Sequence, residues 1–342
     1  MFQNRFTTIF KFFVLFLLIC CSVVVKANST LDSLLNVLKN QKQDTAQCNT
    51  LFEITSLLYD ENNPEAKKYA SQAIEKSILI AEPTYFNTAL NYYSIVINKE
   101  QTSLQKLQFL DNLFSRLSEK EAAKKSLVCI KKAMLLEKMD STSGLINLFD
   151  KAKQLALQSN DTLTIIDVNV SIGLFYKEKS NHTLALDAFI TALKLSEYSG
   201  NTEEIFPICI NLGTVYEYIL DLDKALELYK KAEKTVNITD NPNGVAIVYY
   251  KIGKALLKQS KFKEAQNYLE KVYNIHVQRN DRRGLIVSAG ALSGTCYIQK
   301  EYDCFLKWMK ISIDNAEFTN DQQGLASTYS SYGKYYFEVK KD

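Results

Sequence analysis

Residues 210–232 read INLGTVYEYILDLDKALELYKKA, from Ile210 to Ala232. Forty residues either way from Gly213 stand Gly173 and Gly253; from Ala225, Ala185 and Ala265; from Tyr229, Phe189 and Leu269. A register held by three residue types across three copies is an internal repeat, and a period of this length belongs to stacked supersecondary units. Turn-forming clusters keep the same beat: Ser159-Asn160-Asp161, Ser199-Gly200-Asn201, Asp240-Asn241-Pro242-Asn243-Gly244, Asn280-Asp281 and Asn320-Asp321. Shorter breaks fall between them, at Ser180-Asn181, Leu220-Asp221, Ser260-Lys261 and Lys300-Glu301. Asn, Asp and Gly tolerate turn conformations and cap the helix that follows. Each unit therefore reads as a helix, a tight turn and a second helix.

A glycine inside a helix costs about 1 kcal/mol relative to alanine, so three in one register need a packing reason. Two helices of a hairpin come close only where side chains are small. Gly213 and Ala225 are expected to supply that approach, with Tyr216 and Tyr229 filling the space to either side. The packing signature is then Gly173, Tyr176, Ala185, Phe189 and Ala192; Gly213, Tyr216, Ala225, Tyr229 and Ala232; and Gly253 with Ala265.

This pattern resembles the tetratricopeptide repeat, W-x₂-L-G-x₂-Y followed by A-x₃-F-x₂-A. Leu212-Gly213-x-x-Tyr216 with Ala225-x-x-x-Tyr229-x-x-Ala232 matches it, as does Ile172-Gly173-x-x-Tyr176 with Ala185-x-x-x-Phe189-x-x-Ala192. The unit with Ile252-Gly253 has Leu256 in place of the first aromatic, and the next departs further, with Leu292-Ser293, Cys296, Phe305 and Met309. No unit has the leading Trp. The resemblance runs from about Ala133 to Met309 and is faint before that. It implies an all-α, right-handed superhelical solenoid of antiparallel helix pairs, in a forty-residue variant of the family. It also implies a concave face, lined by first helices, that receives a peptide or a partner's helix. By the family register the inward positions include Lys177, Glu217, Tyr218, Tyr250, Lys254, Lys258 and Tyr297. A basic, aromatic groove of this kind suits an acidic or extended segment. The plain alternative is that these are ordinary solvated helix positions.

The first residues are of a different kind. Arg5 and Lys11 precede an apolar run, Phe12 to Cys21 and on to Val25, which ends in Val25-Lys26-Ala27. This reads as a secretory signal peptide, residues 1–27, cut after Ala27, so the chain is expected to be exported, periplasmic or secreted. The run is short of the roughly 20 residues of a spanning helix, and an uncleaved anchor is the alternative. Acylation at Cys20 or Cys21 is a further one, disfavoured because Leu18-Ile19 lacks small residues. Residues 28–130 read as divergent helical repeats: Leu31, Leu34, Leu35 and Leu38 share a helix face, and Asn63-Pro64-Glu65 reads as a helix start. Residues 131–342 read as the main array. Its last copy, Tyr332-Gly333-x-x-Tyr336, offers a first helix only, which is either an unusual cap or a sign of a longer protein.

Composition narrows function further. Forty-one Lys and Arg stand against thirty-eight Asp and Glu, so no strong field invites nucleic acid or an anionic membrane. The runs Lys124-Lys125, Lys131-Lys132 and Lys230-Lys231 are expected on solvated helix faces. Beyond Ala27 the cysteines are Cys48, Cys129, Cys209, Cys296 and Cys304, an odd number that does not suggest a disulfide scaffold. Only Cys296 and Cys304 could meet across a helix hairpin; otherwise all five read as small buried apolar groups. The two histidines, His182 and His276, lack metal spacing and are expected to face solvent, and no C-x-x-C, H-E-x-x-H or G-x-x-x-x-G-K occurs. No catalytic, cofactor or metal site is expected. The reading is a binding scaffold for a protein or peptide. The alternative is the sensory ectodomain of a bacterial membrane signalling protein, such as a histidine kinase or transcriptional regulator with these repeats.

Overall fold

The computed structural model describes residues 30–97, 102–139, 144–236 and 240–340. The leader read at 1–27, with Cys20 and Cys21, lies outside them. Every regular element among the described residues is helical, and the chain divides into two compact units, at Val168 and Asn169.

The first unit begins with α1 (30–40), α2 (Asp44–Asp60), α3 (Ala66–Leu79), α4 (Pro83–Val96) and α5 (Ser103–Arg116). It continues through a 3₁₀ turn at Glu119–Glu121 into α6 (Ala122–Lys138) and α7 (Leu145–Ser159). Its core is built from Leu51, Ile54 and Leu58 of α2, Ala66, Ala70 and Ala73 of α3, and Phe86 and Leu90 of α4. Leu31, Leu34, Leu35 and Leu38 pack against it from α1. The start of α3 differs from expectation: the helix opens at Ala66, and Asn63 caps the preceding turn, its Oδ1 accepting from Glu65 N at 2.9 Å.

A second difference falls on α6. Lys124 and Lys125 are 4% and 6% exposed, not solvated. Nζ of Lys124 donates to the Ile78 carbonyl at 2.6 Å and to Glu121, while Lys125 pairs with Glu119 and lies 5.3 Å from the Phe114 ring centroid. α6 packs against both α4 and α7, so even its charged positions are covered, and a covered ammonium must find acceptors.

The helix α8 (Thr162–Glu178) runs across the boundary of the units. Then come α9 (His182–Ser199), α10 (Thr202–Tyr218), α11 (Leu222–Thr235), α12 (Pro242–Lys258), α13 (Phe262–Gln278), α14 (Arg282–Ile298), α15 (Tyr302–Phe318) and α16 (Gln322–Tyr335), with a π turn at Tyr336–Lys340. α10 pairs with α11, α12 with α13, and α14 with α15; first helices also touch, α10 with α12 and α14 with α16. The turns share one device. Asn160, Ser180, Gly200, Leu220, Ser260, Asn280, Lys300 and Asn320 all have φ between 52° and 71°. One left-handed residue reverses the chain, and the N-cap follows directly at Asn181, Asp221, Asp281 and Asp321; these and Asn241 each accept from the backbone N–H three residues on.

Packing inside each hairpin is specific. A Cβ on Gly213 would stand 2.6 Å from a ring carbon of Tyr229, one on Gly173 2.8 Å from Phe189, and one on Gly253 3.0 Å from Leu269. The nearest partner of each glycine is thus the large side chain sixteen residues on, rather than the alanine. Ala185, Phe189, Ala192, Ala225, Tyr229, Ala232 and Ala265 are fully buried, whereas Tyr176 and Tyr216 are only half-buried. In the α14–α15 hairpin the large and small partners change places: Phe305 stands where Ala265 and Ala225 stand, and Cys296 where Leu256 and Tyr216 do. Phe305 is buried against Tyr297 and Tyr335, at 5.4 and 5.1 Å between ring centroids. The space left beside it holds the Cys296–Cys304 disulfide, so this pair is bonded and not merely packed as two apolar groups.

The histidines are more covered than expected. His276 has a 14% exposed side chain, its Nδ1 lies 2.9 Å from Asp281 Oδ2, and its ring fills the space beside Gly284. His182 opens α9, half-buried, with its ring 5.7 Å from Tyr218.

Candidate interaction face

The second unit gathers an unusual set of groups on α8, α10 and α12. Glu217 in the last turn of α10 is 8% exposed. A carboxylate so covered persists only if hydrogen-bonded and paired. Tyr229 Oη donates to it at 3.0 Å and Lys258 Nζ at 2.6 Å. Burial works against its ionisation, but the hydrogen bonds from Lys258 and Tyr229 and the charges of Lys251 and Lys258 outweigh it, holding Glu217 below the usual carboxylate range. Burial pushes the Tyr229 phenol well up, so it stays a donor. Thr214 Oγ1, 3.3 Å from Tyr229 Oη, donates to the Ile210 carbonyl.

Four lysines gather in this neighbourhood, of which Lys251 and Lys258 act on Glu217 itself. Lys251 has its ammonium pKa pushed down by burial, opposed by Glu217 and reinforced by Lys254, Lys177 and Lys258. Lys177, at the end of α8, is also pushed down by burial, against the pull of Glu178, and donates to Asn211 Oδ1 at 2.6 Å. Asn211 in turn donates to the carbonyl of Pro207. Lys254 is exposed and stands 5.7 Å from the Tyr250 ring centroid. Tyr250 is half-buried, its phenol raised by burial and then by Glu217. Tyr218, 58% exposed, offers its ring at the edge, against His182.

Of the seven residues expected on the inward face, Lys177, Glu217, Tyr250, Lys254 and Lys258 therefore share one electrostatic neighbourhood. Glu217 occupies it as a buried anchor rather than a contact group. Tyr218 is bonded in sequence to Glu217 but faces His182. Tyr297 stands apart: its hydroxyl donates to Glu338, and its neighbours are Tyr302, Phe305 and Lys334. Sequence reading missed Lys251 and Asn211. They are forty residues apart, so the repeat register carried a signal for both.

Chemically, the face supplies cations, aromatic rings and one neutralised carboxylate, which is equipment for binding. Elsewhere, the sulfurs of Cys296 and Cys304 and a carboxylate oxygen of Glu301 lie within 4.8 Å of one another. The sulfurs are joined to each other, so they offer no thiolate. No helix among the described residues is long and apolar enough to cross a membrane.

Comparison with known proteins agrees with this geometry at the level of fold. The model of the family described as tetratricopeptide repeat matches residues 246–275, which cover most of α12 and most of α13. A search of curated protein sequences finds no match. Among solved structures, the apo form of RapI aligns with a TM-score of 0.59 at 14% identity, over 92% of this chain and 83% of that one. The apo quorum sensor NprR from B. thuringiensis aligns with a TM-score of 0.56 at 15% identity, over 93% and 83%. A Rap protein complexed with competence and sporulation factor gives 0.52 at 14% identity, over 83% and 79%. The fold is that of tetratricopeptide-like helical repeats.

Proposed function

We propose that this chain is an exported, non-enzymatic interaction protein, of the forty-residue variant of the repeat family, whose α8–α10–α12 face holds an extended acidic segment of a partner. The observation that carries the reading is the collection of Lys177, Lys254 and Lys258 around Lys251, beside a single carboxylate, Glu217, already engaged by two donors. Two of these lysines lose solvation without gaining a full counter-charge. An acidic side chain would supply it, while Tyr218 and Tyr250 offer rings to its neighbours. The Rap protein bound to competence and sporulation factor supports a peptide as the ligand class. Export is supported by the reading of residues 1–27 and by the Cys296–Cys304 bond, since such bonds persist in oxidising compartments.

Fluorescence polarisation with synthetic extended peptides, one Glu-rich, one Lys-rich and one neutral of the same length, tests the face. The Glu-rich peptide is expected to bind and the Lys-rich one not to. Lys254→Glu, at an exposed position that leaves the Glu217 network intact, is expected to weaken the Glu-rich peptide about tenfold or more. Equal binding of the three peptides, or an unchanged Lys254→Glu variant, would overturn the assignment. N-terminal sequencing of the protein from the exported fraction is expected to start at Asn28, and an intact Met1 would sink the leader.

The likeness to the quorum sensor NprR favours a second reading, in which the chain is a sensory ectodomain and the same face senses a peptide signal on behalf of a signalling protein. A downstream protein that binds only when the Glu-rich peptide is present would distinguish it from a scaffold.

A further inference from the structure

A cleft of about 360 Å³ opens in the first unit, between α4, α5 and α6. That volume is at the small end of ligand sites, which run from roughly 300 to 1,000 Å³. Its walls are apolar, with Leu90, Tyr93 and Phe109 within and Ile95 and Met134 at the rim. Those two rim side chains are 47% and 38% exposed, large for apolar groups flanking an opening.

The polar part of the cleft is one-sided. No carboxylate lines it among the described residues, whereas Lys131 and Lys138, two turns apart on α6, both do. Lys131 is the informative group. Burial pushes its ammonium pKa down, Asp167 pulls the other way, and Lys138 adds to the loss. Asn91 Oδ1 accepts from its Nζ at 2.5 Å, one of the three hydrogen bonds an ammonium can donate. Asp167 is itself held by Asn87, at 2.8 Å. A half-desolvated cation beside apolar walls is best satisfied by an anionic head that carries an apolar tail. An acidic peptide fits less well, because its amides would lie against walls that cannot bond them. A neutral alkane would leave Lys131 as it is.

We propose that this cleft binds a single-chain amphiphile with a carboxylate head, of the medium-chain fatty acid class. Its carboxylate bonds to Lys131, and its chain lies along Leu90, Tyr93 and Phe109. The cleft shares no lining residue with the lysine face, and either proposal can fail without the other.

Isothermal titration of the full-length chain with dodecanoate, kept below its micelle concentration, tests this against dodecanol and dodecyltrimethylammonium. Dodecanoate is expected to bind one per chain, about tenfold tighter than dodecanol, since a charge-assisted hydrogen bond separates them. The cationic amphiphile is expected not to bind. Lys131→Met should bring dodecanoate down to the affinity of dodecanol. Ile95→Glu, at an exposed rim position, should remove dodecanoate binding. No binding, equal affinity for dodecanoate and dodecanol, or an unchanged Ile95→Glu variant would overturn the proposal. So would displacement of dodecanoate by the Glu-rich peptide, which would assign the cleft to a protein partner. Should Lys131→Met fail to fold, the ratio of the two amphiphiles and the rim variant still decide.

Discussion

The contact of Gly213 with the Tyr229 ring shows how much one missing methyl can matter. A Cβ there would lie 2.6 Å from a fully buried ring that is also fixed by a hydrogen bond to Glu217. Gly213→Ala should therefore destabilise the chain by about 1–3 kcal/mol despite alanine's better helix propensity. Gly333 occupies the same repeat position in α16, with nothing within 4 Å of its Cβ. Gly333→Ala should be neutral or stabilising by up to about 1 kcal/mol, and urea melts of the two variants make the comparison. Glu217 gives a second test. Its pKa is held below the ordinary value of 4.5, so the unfolded chain takes up its proton first as acid is added. The stability it contributes is present above pH 4.5 and lost as pH falls through the folded value. Glu217→Gln should flatten the decline in melting temperature below pH 4.5; an unchanged slope would show that the network is not what holds its proton off. Only a close approach at Gly213 was legible from residue type. Gly213 and Tyr229 stood out as a repeating pair, but that they touch each other, and that Glu217 lies beneath them as an acceptor, depends on where α11 sets its ring.

At the scale of the element, the turns are the part most legible in sequence. Asn160, Gly200, Asn280 and Asn320 are residue types that adopt positive φ at little cost, and the Asn and Asp caps sit next to such residues. Ser180, Leu220, Ser260 and Lys300 are the exceptions, and Leu220 is the apolar one, a 77% exposed leucine at φ 65°. It gains little from burial and bears the cost of the left-handed region. Leu220→Asn should stabilise the chain by about 0.5–1 kcal/mol, read from the midpoint of denaturant unfolding. Less legible was α6. Its Lys124 and Lys125 look like a solvated pair, but burial belongs to the neighbours a helix acquires, and α6 has them on more than one side. The α14–α15 hairpin was legible only as a departure. Ser293, Cys296, Phe305 and Met309 break the pattern one by one, and only side by side does the exchange of volumes between Phe305 and Cys296 become visible.

At the scale of the whole molecule, charge is the property to test. A formal net charge of +3 is too small to steer a ligand from afar, while Lys177, Lys251, Lys254 and Lys258 act over a few ångströms. Affinity for the Glu-rich peptide should fall as salt is raised from about 50 to about 500 mM, because the screening length shrinks from above to below about 10 Å. The neutral peptide should show no such dependence, and a salt-independent Glu-rich complex would mean that the lysines are not its partners.

The matching N-caps of α12 and α14 also bear on how such a chain can change in length. Asp281 caps α14 as Asn241 caps α12, each handing the chain to a first helix in the same way. A tandem duplication of the gene segment for residues 242–281 would therefore place Asp281 before a second Pro242, a junction of a kind the protein already contains. The added pair would meet its neighbours through interfaces that already exist between hairpins. Duplicating one helix alone would instead exchange first helices for second ones in everything downstream, setting glycine faces against the wrong rings. Growth by whole hairpins is thus nearly silent to the fold, and growth by half a hairpin is not.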